Sequence, residues 1–110
     1  MNSQELETAV RLNLDLVVVV INDNSYGMIR WKQSEIGFED FGLNFKNPDF
    51  VRYAQSYGAE GVRIDKSGQL IDAIEEAFRA GGVYLIDLPI DYSENHRVFN
   101  EELKNRVCLI

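Results

Sequence analysis

The chain has 110 residues, with 11 Lys+Arg against 18 Asp+Glu for a formal net charge of −7, and is 45% hydrophobic and 11% aromatic, the profile of one acidic globular domain. Its longest apolar run, Leu16 to Ile21, is six residues where a spanning helix needs about 20, so no membrane crossing is expected, and the N-terminus lacks the basic-then-apolar order of a signal peptide. No basic stripe is present to meet nucleic-acid phosphates, Lys104 to Arg106 being too short, and the single cysteine, Cys108, excludes an intramolecular disulfide or a CxxC-type zinc site; a reducing, cytoplasmic setting is expected.

Asn2 to Asn13 predicts a helix, with Leu6, Ala9, Val10 and Leu12 on one face and Asn2 and Glu5 spaced as a capping pair. Leu16 to Ile21 (LVVVVI) is a β-branched run without polar alternation, the pattern of a strand buried on both faces of a parallel sheet. Asn22 to Gly27 (NDNSYG) breaks it with turn and cap residues. A short helix follows from Met28 to about Glu35, then a loop rich in Gly and Phe from Gly37 to Lys46 that folds over something. Asn47-Pro48-Asp49 reads as an N-cap, a first-turn proline and a first-turn acid, and Gly58 as the residue that ends that helix. Gly61 to Ile64 predicts a strand. Ser67 then caps a helix with Leu70, Ile71, Ile74, Ala77 and Phe78 on one stripe, closed by Gly81, and Val83 to Leu88 is the last strand, ended by Pro89.

This alternation predicts an α/β fold, a doubly wound parallel sheet with helices on both faces. The first helix has no strand before it to cross over from, so the sheet is expected to be truncated at its N-terminal end and the chain to be a fragment. An enzyme that encloses a large cofactor also needs more walls than about 110 residues supply. There is no repeat or low-complexity tract, and the residues after Asp91 read as a tail with one short helix.

Ligands of an open parallel sheet bind beyond the carboxyl ends of its strands, which here means Asn22 to Met28. Asp23 offers a carboxylate, Asn22 and Asn24 offer amide oxygens, and turn carbonyls add further hard ligands of the kind Mg²⁺ takes. The helix start at Gly27-Met28 favours a phosphate. A metal site beside a phosphate site is a diphosphate site; the competing reading is an ordinary strand-to-helix turn capped by Asn and Ser. His96 reads as a surface residue and Cys108 as inert. Glu75 and Glu76 read as a solvated face, and Gly81-Gly82 as a helix stop and not a dinucleotide loop.

The stretch MNSQELETAVRLNLDLVVVVINDNSYGMIRWKQ, with Val83 to Tyr92 (VYLIDLPIDY) later, resembles the C-terminal diphosphate-binding domain of thiamine diphosphate-dependent enzymes, and among them the acetolactate synthases. The resemblance covers nearly the whole chain and implies two parts, 1–92 as the C-terminal part of that domain and 93–110 as a tail. The family's metal motif runs from a Gly-Asp-Gly triplet to an Asn-Asn pair. Carried over by position, Asn22 matches the first asparagine, Asp23 replaces the second as metal ligand, and Ser25 gives a carbonyl. Asp at that position is similar to the catabolic, flavin-independent members, and it conserves the oxygen while adding a charge that suits Mg²⁺.

The resemblance implies thiamine diphosphate and Mg²⁺ as cofactors, leaves FAD undetermined, and gives Asp23, Ser25, Tyr26, Gly27 and Met28 to the cofactor and Met28, Ile29 and Lys32 to the substrate pocket. In the flavin-containing branch a tryptophan occupies the place of Lys32; here Trp31 stands one residue early. No Gly-Asp-Gly occurs in the chain, and the glutamate that activates the cofactor belongs to another domain of a partner subunit, so no catalytic residue is expected here and the chain alone is expected to be inactive. The implied activity of the whole enzyme is decarboxylation of pyruvate and its condensation with a second pyruvate to 2-acetolactate, in a homodimer or homotetramer. The alternatives are another 2-keto acid decarboxylase or carboligase of the same superfamily, or a non-catalytic α/β domain.

Overall fold

The computed structural model describes residues 3–95 and 97–102. The predicted roles of Asn2, His96, Lys104 to Arg106 and Cys108 lie outside them. The elements are α1 (Glu5–Arg11), β1 (Leu16–Asn22), α2 (Gly27–Glu35), α3 (Phe50–Ser56), β2 (Glu60–Arg63), α4 (Gln69–Ala80), β3 (Val83–Pro89) and a π-helical turn, Arg97–Glu102. By contacts the chain forms two units, one from the described residues of 1–22 with 47–89, the other from 23–46 with the described residues from 90 onward. Among the described residues no helix is long and apolar enough to cross a membrane.

The first unit holds a parallel sheet in the order β1-β3-β2. Its register sets Val18 and Gly61 beside Leu85, and Val20 and Arg63 beside Asp87. Side chains alternate across a strand, so Val18, Val20, Val83 and Leu85 share one face. There they form the core with Leu6 and Ala9 of α1 and Ala54 of α3. Gly61 lets α3 come close: a Cβ on it would lie 3.2 Å from the Val51 Cα. Tyr84 and Ile86 point to the other face, which α4 covers through Ala77. The parallel sheet with helices on both faces is the fold class the alternation predicts.

Three local expectations are corrected. The strand buried on both faces is the central β3, where Val83, Leu85, Ile86 and Asp87 are all buried, while β1 has one neighbour and leaves Leu16, Val19 and Ile21 exposed. In α4 the buried side is Ala77, whereas Ile71 and Phe78 are 69% and 71% exposed, because the apolar arc of the helix is wider than the β1 and β3 surface it meets. In α3 the cap is Asp49, whose side chain accepts from Arg52 N at 3.0 Å, so the helix starts beyond Pro48 and Asn47 is released from capping. Gly58, at φ +83, ends α3 as predicted. Smaller shifts follow the same logic: α1 is shorter at both ends than Asn2 to Asn13, with Asn13 left-handed after it, and α4 takes Gly68, not Ser67, at its cap position.

Candidate functional site

Four polar side chains meet at the carboxyl end of β1 and β3 in the first unit. Asp87 is 2% and Asn22 4% exposed, burial that polar groups tolerate only when hydrogen-bonded. Asn22 Nδ2 donates to Asp87 Oδ1 at 2.9 Å, Arg63 Nη1 donates to Asp87 Oδ2 at 2.6 Å, and Asn47 Nδ2 donates to Asn22 Oδ1 at 2.8 Å. The Arg63 side chain is half-exposed. The chain of donors and acceptors is therefore complete around the buried carboxylate.

In the second unit the segment after β1 folds into a tight turn on its own side chains. Asp23 Oδ1 accepts from Ser25 N and Asp23 Oδ2 from Ser25 Oγ, both at 3.0 Å. Asn24 is left-handed at φ +52, a conformation that asparagine tolerates better than most residues. The loop of residues 37–46 returns against this turn. Ser25 bridges to Asn44, Phe45 N donates to the Asn24 carbonyl at 3.1 Å, the Tyr26 and Phe45 rings lie 4.7 Å apart, and Leu43 is buried. The predicted Gly- and Phe-rich loop thus folds over the turn itself, while Phe38 and Phe41 remain exposed.

α2 starts from this turn with Tyr26 at its cap position and no side-chain cap from it, and the first N–H groups of a helix are of the kind that an anion accepts from. Gly27 sits where a side chain could not: a Cβ there would lie 2.6 Å from Asp23 Oδ2 and 3.2 Å from the Tyr92 ring. Asp23, Ser25 and Gly27 line a cleft of about 470 Å³ together with Arg30, Trp31 and Tyr92, a volume within the range of about 300–1,000 Å³ for small-molecule sites.

Among the predicted residues, Asp23, Ser25 and Gly27 are brought together in this cleft, and Tyr26 stands at the helix entrance beside them. Met28, Ile29 and Lys32 lie on another side of α2. Met28 and Ile29 are exposed, and Lys32 pairs with Glu35 at 3.1 Å and stands 4.3 Å over the Trp31 ring. The cleft takes the opposite i, i+1, i+4 set, Arg30, Trp31 and Ser34. Arg30 is oriented by Asp40 at 2.9 Å and by Asn44.

The segment of residues 90–95, which reads as the end of a strand and the start of a tail, supplies the other wall. A signal for it is present in the sequence: Asp91-Tyr92-Ser93 repeats the Asp-x-Ser pattern of Asp23-Asn24-Ser25. It folds the same way, with Asp91 accepting from Ser93 N at 2.8 Å and from Ser93 Oγ at 3.0 Å.

The lining sets three carboxylates, Asp23, Asp40 and Asp91, against one cation, Arg30, already paired with Asp40. A diphosphate is accommodated in such a cleft only with a cation between it and the carboxylates. No group of three or more His, Cys, Asp or Glu side chains that could enclose a metal exists among the described residues. Mg²⁺ takes one or two carboxylates with carbonyls, waters and the ligand's own phosphates, and Asp23 is a carboxylate in the lining of this cleft. The room that the missing Gly27 Cβ leaves for the Asp23 carboxylate fits the same arrangement.

Residues 1–88 match the family model described as thiamine pyrophosphate enzyme, C-terminal TPP binding domain. The chain belongs to the thiamine pyrophosphate enzymes. It is similar to acetolactate synthase of Bacillus subtilis (38% identical over 102 residues, covering 93% of this chain and 18% of that protein). It is also similar to the acetolactate synthase large subunit of Cyanidium caldarium (37% identical over 98 residues, covering 86% of this chain and 17% of that protein). Among solved structures, the thiamine diphosphate-dependent 4-hydroxybenzoylformate decarboxylase of Rhodococcus jostii RHA1 superposes with a TM-score of 0.72 at 26% identity, covering 81% of this chain and 17% of that one. The chain thus spans less than a fifth of the length of these relatives, at most 18%.

Proposed function

We propose that this chain is the diphosphate-anchoring part of an acetolactate synthase-like enzyme that uses thiamine diphosphate and Mg²⁺ to decarboxylate pyruvate and join it to a second pyruvate as 2-acetolactate. The observation that carries the reading is the close approach of Asp23 to Gly27, a carboxylate held at the start of an uncapped helix by the lack of a Cβ. The names of the two acetolactate synthases to which the chain is similar support the reaction.

In this reading Asp23 and the Ser25 carbonyl hold Mg²⁺, and the N–H groups of Gly27 and Met28 with the Tyr26 turn face the diphosphate. The bound cofactor supplies the carbanion chemistry. Met28 and Ile29 border the substrate and are exposed here. Lys32 reaches a second substrate by leaving Glu35 and the Trp31 ring. The exposed Met28, Ile29, Ile36, Phe38 and Phe41 form apolar surface of the kind that subunit contacts cover, in line with a homodimer or homotetramer.

The test is Asp23→Ala in the complete enzyme, with thiamine diphosphate binding followed calorimetrically with and without Mg²⁺. The expected result is loss of most of the Mg²⁺-dependent affinity; an unchanged affinity removes the ligand assignment. A second reading, a 2-keto acid decarboxylase, draws on the likeness to the 4-hydroxybenzoylformate decarboxylase. Incubation with pyruvate separates the two, since 2-acetolactate identifies the synthase and acetaldehyde alone the decarboxylase.

A further inference from the structure

Asn22 and Asn47 occupy a special pair of positions. Asn22 is the last residue of the first unit before the chain leaves to build the segment of residues 23–46, and Asn47 is the first residue after it returns. Their side chains are hydrogen-bonded to each other at 2.8 Å, across 25 positions of sequence. Behind that bond Asn22 is held by the buried Asp87, and Asp87 by Arg63. Asn47 can serve here because Asp49 has taken over the capping of α3.

We propose that Asn47, Asn22, Asp87 and Arg63 form a clasp at the base of the 23–46 segment, and that Asn47 and Asn22 are positioning residues for the metal-binding turn of Asp23 and Ser25. The bond ties together the residues that flank the segment, and Asn22, which it holds, is joined directly by its peptide bond to Asp23. A side-chain amide suits this position because it both accepts and donates. Asn22 accepts with Oδ1 from Asn47 while donating with Nδ2 to Asp87, so one planar group couples the loop base to the buried carboxylate. The inference rests on the assignment of Asp23 as a metal ligand. Partners that orient a metal ligand without touching the metal commonly change metal affinity by about 10–100-fold when removed.

The experiment compares Asn47→Ala, Asp23→Ala and Asp49→Ala in the complete enzyme. Mn²⁺ serves as the metal probe, its binding read by electron paramagnetic resonance in the presence of thiamine diphosphate, and thermal unfolding is recorded without metal or cofactor. Asp49→Ala removes the α3 cap next to the clasp and leaves the clasp itself, so it reports what destabilisation alone does. The expected result is Mn²⁺ affinity weakened about tenfold in Asn47→Ala and unchanged in Asp49→Ala. Weakened binding in Asp23→Ala with unchanged binding in Asn47→Ala overturns the clasp. Unchanged binding in Asp23→Ala overturns the metal assignment, and the clasp with it. Should the alanine variant not fold, Asn47→Asp places an oxygen where the amide donates at the same size, and unchanged Mn²⁺ affinity in that variant overturns the proposal equally.

Discussion

Gly27 and Asp23 cannot both keep their places if Gly27 acquires a side chain, since its Cβ would stand 2.6 Å from Asp23 Oδ2. The neighbour is a carboxylate tied to Ser25 by two hydrogen bonds, so it moves only by breaking that turn. Gly27→Ala is therefore expected to weaken Mg²⁺-dependent thiamine diphosphate binding by about tenfold or more, about 1.4 kcal/mol per factor of ten. Gly68→Ala is the control. A Cβ there meets nothing within 4 Å, at φ −65, and the change is expected to stabilise by about 0.4–1 kcal/mol with binding untouched. Calorimetric titration of both variants checks the pair, and equal binding by the two would remove the steric argument.

Arg63 and Asp87 differ in what their loss leaves behind. Without Arg63 the Asp87 carboxylate stays buried with one amide donor from Asn22. Removing one partner of a fully buried pair costs about 3–5 kcal/mol; because Arg63 is half-exposed and partly screened, Arg63→Leu is expected to cost about 2–3 kcal/mol. Adding Asp87→Asn to that variant removes the stranded charge and is expected to recover part of the loss. Urea unfolding of the two single variants and the double variant closes the cycle, and additive losses would contradict the coupling.

Tyr84 gives the fold a pH dependence at the alkaline end. Burial raises the pKa of its phenol, and Glu76 and Glu60 nearby raise it further. A folded-state pKa above the unfolded value of 10.0 means that the neutral phenol favours the native state. Its contribution is whole below about pH 10 and is lost as pH rises through the folded pKa. Thermal unfolding between about pH 8 and 11 is expected to fall at its upper end in the parent, and to fall less in Tyr84→Phe. Parallel curves for the two would assign the alkaline loss to other groups.

The order of elements and the parallel sheet were legible because β-branched runs, caps and stop glycines act locally. Gly58 and Gly81, both at positive φ, end helices where the sequence places those ends. What was not legible depends on neighbours distant in sequence. Leu16 to Ile21 reads as an interior strand, yet the interior place goes to β3, and only the pairing order decides that. Asn47 has the composition of a cap, yet Asn22, 25 positions away, engages its side chain while Asp49 caps the helix. In the cleft, Asp23, Ser25 and Gly27 could be read from their place after a strand. Asp91 to Ser93 could have been read only by noticing the repeated Asp-x-Ser, because a strand exit gives no periodicity to follow.

Ala77 and Phe78 are adjacent and both belong to the apolar stripe of α4 by spacing, but they are expected to respond oppositely to substitution. Ala77 is 1% exposed against the sheet, so there is no space for a larger side chain, and Ala77→Leu is expected to cost about 1–3 kcal/mol through overpacking. Phe78 is exposed in this chain, and Phe78→Ser, which removes surface already in water, is expected to change stability by no more than about 0.5 kcal/mol. Urea midpoints of the two variants, measured both on this chain and on the complete enzyme, check the contrast. A large loss for Phe78→Ser in the complete enzyme alone would mean that another part of the assembly covers this face of α4; a large loss in the isolated chain would show that the helix sits deeper on the sheet than its exposure implies.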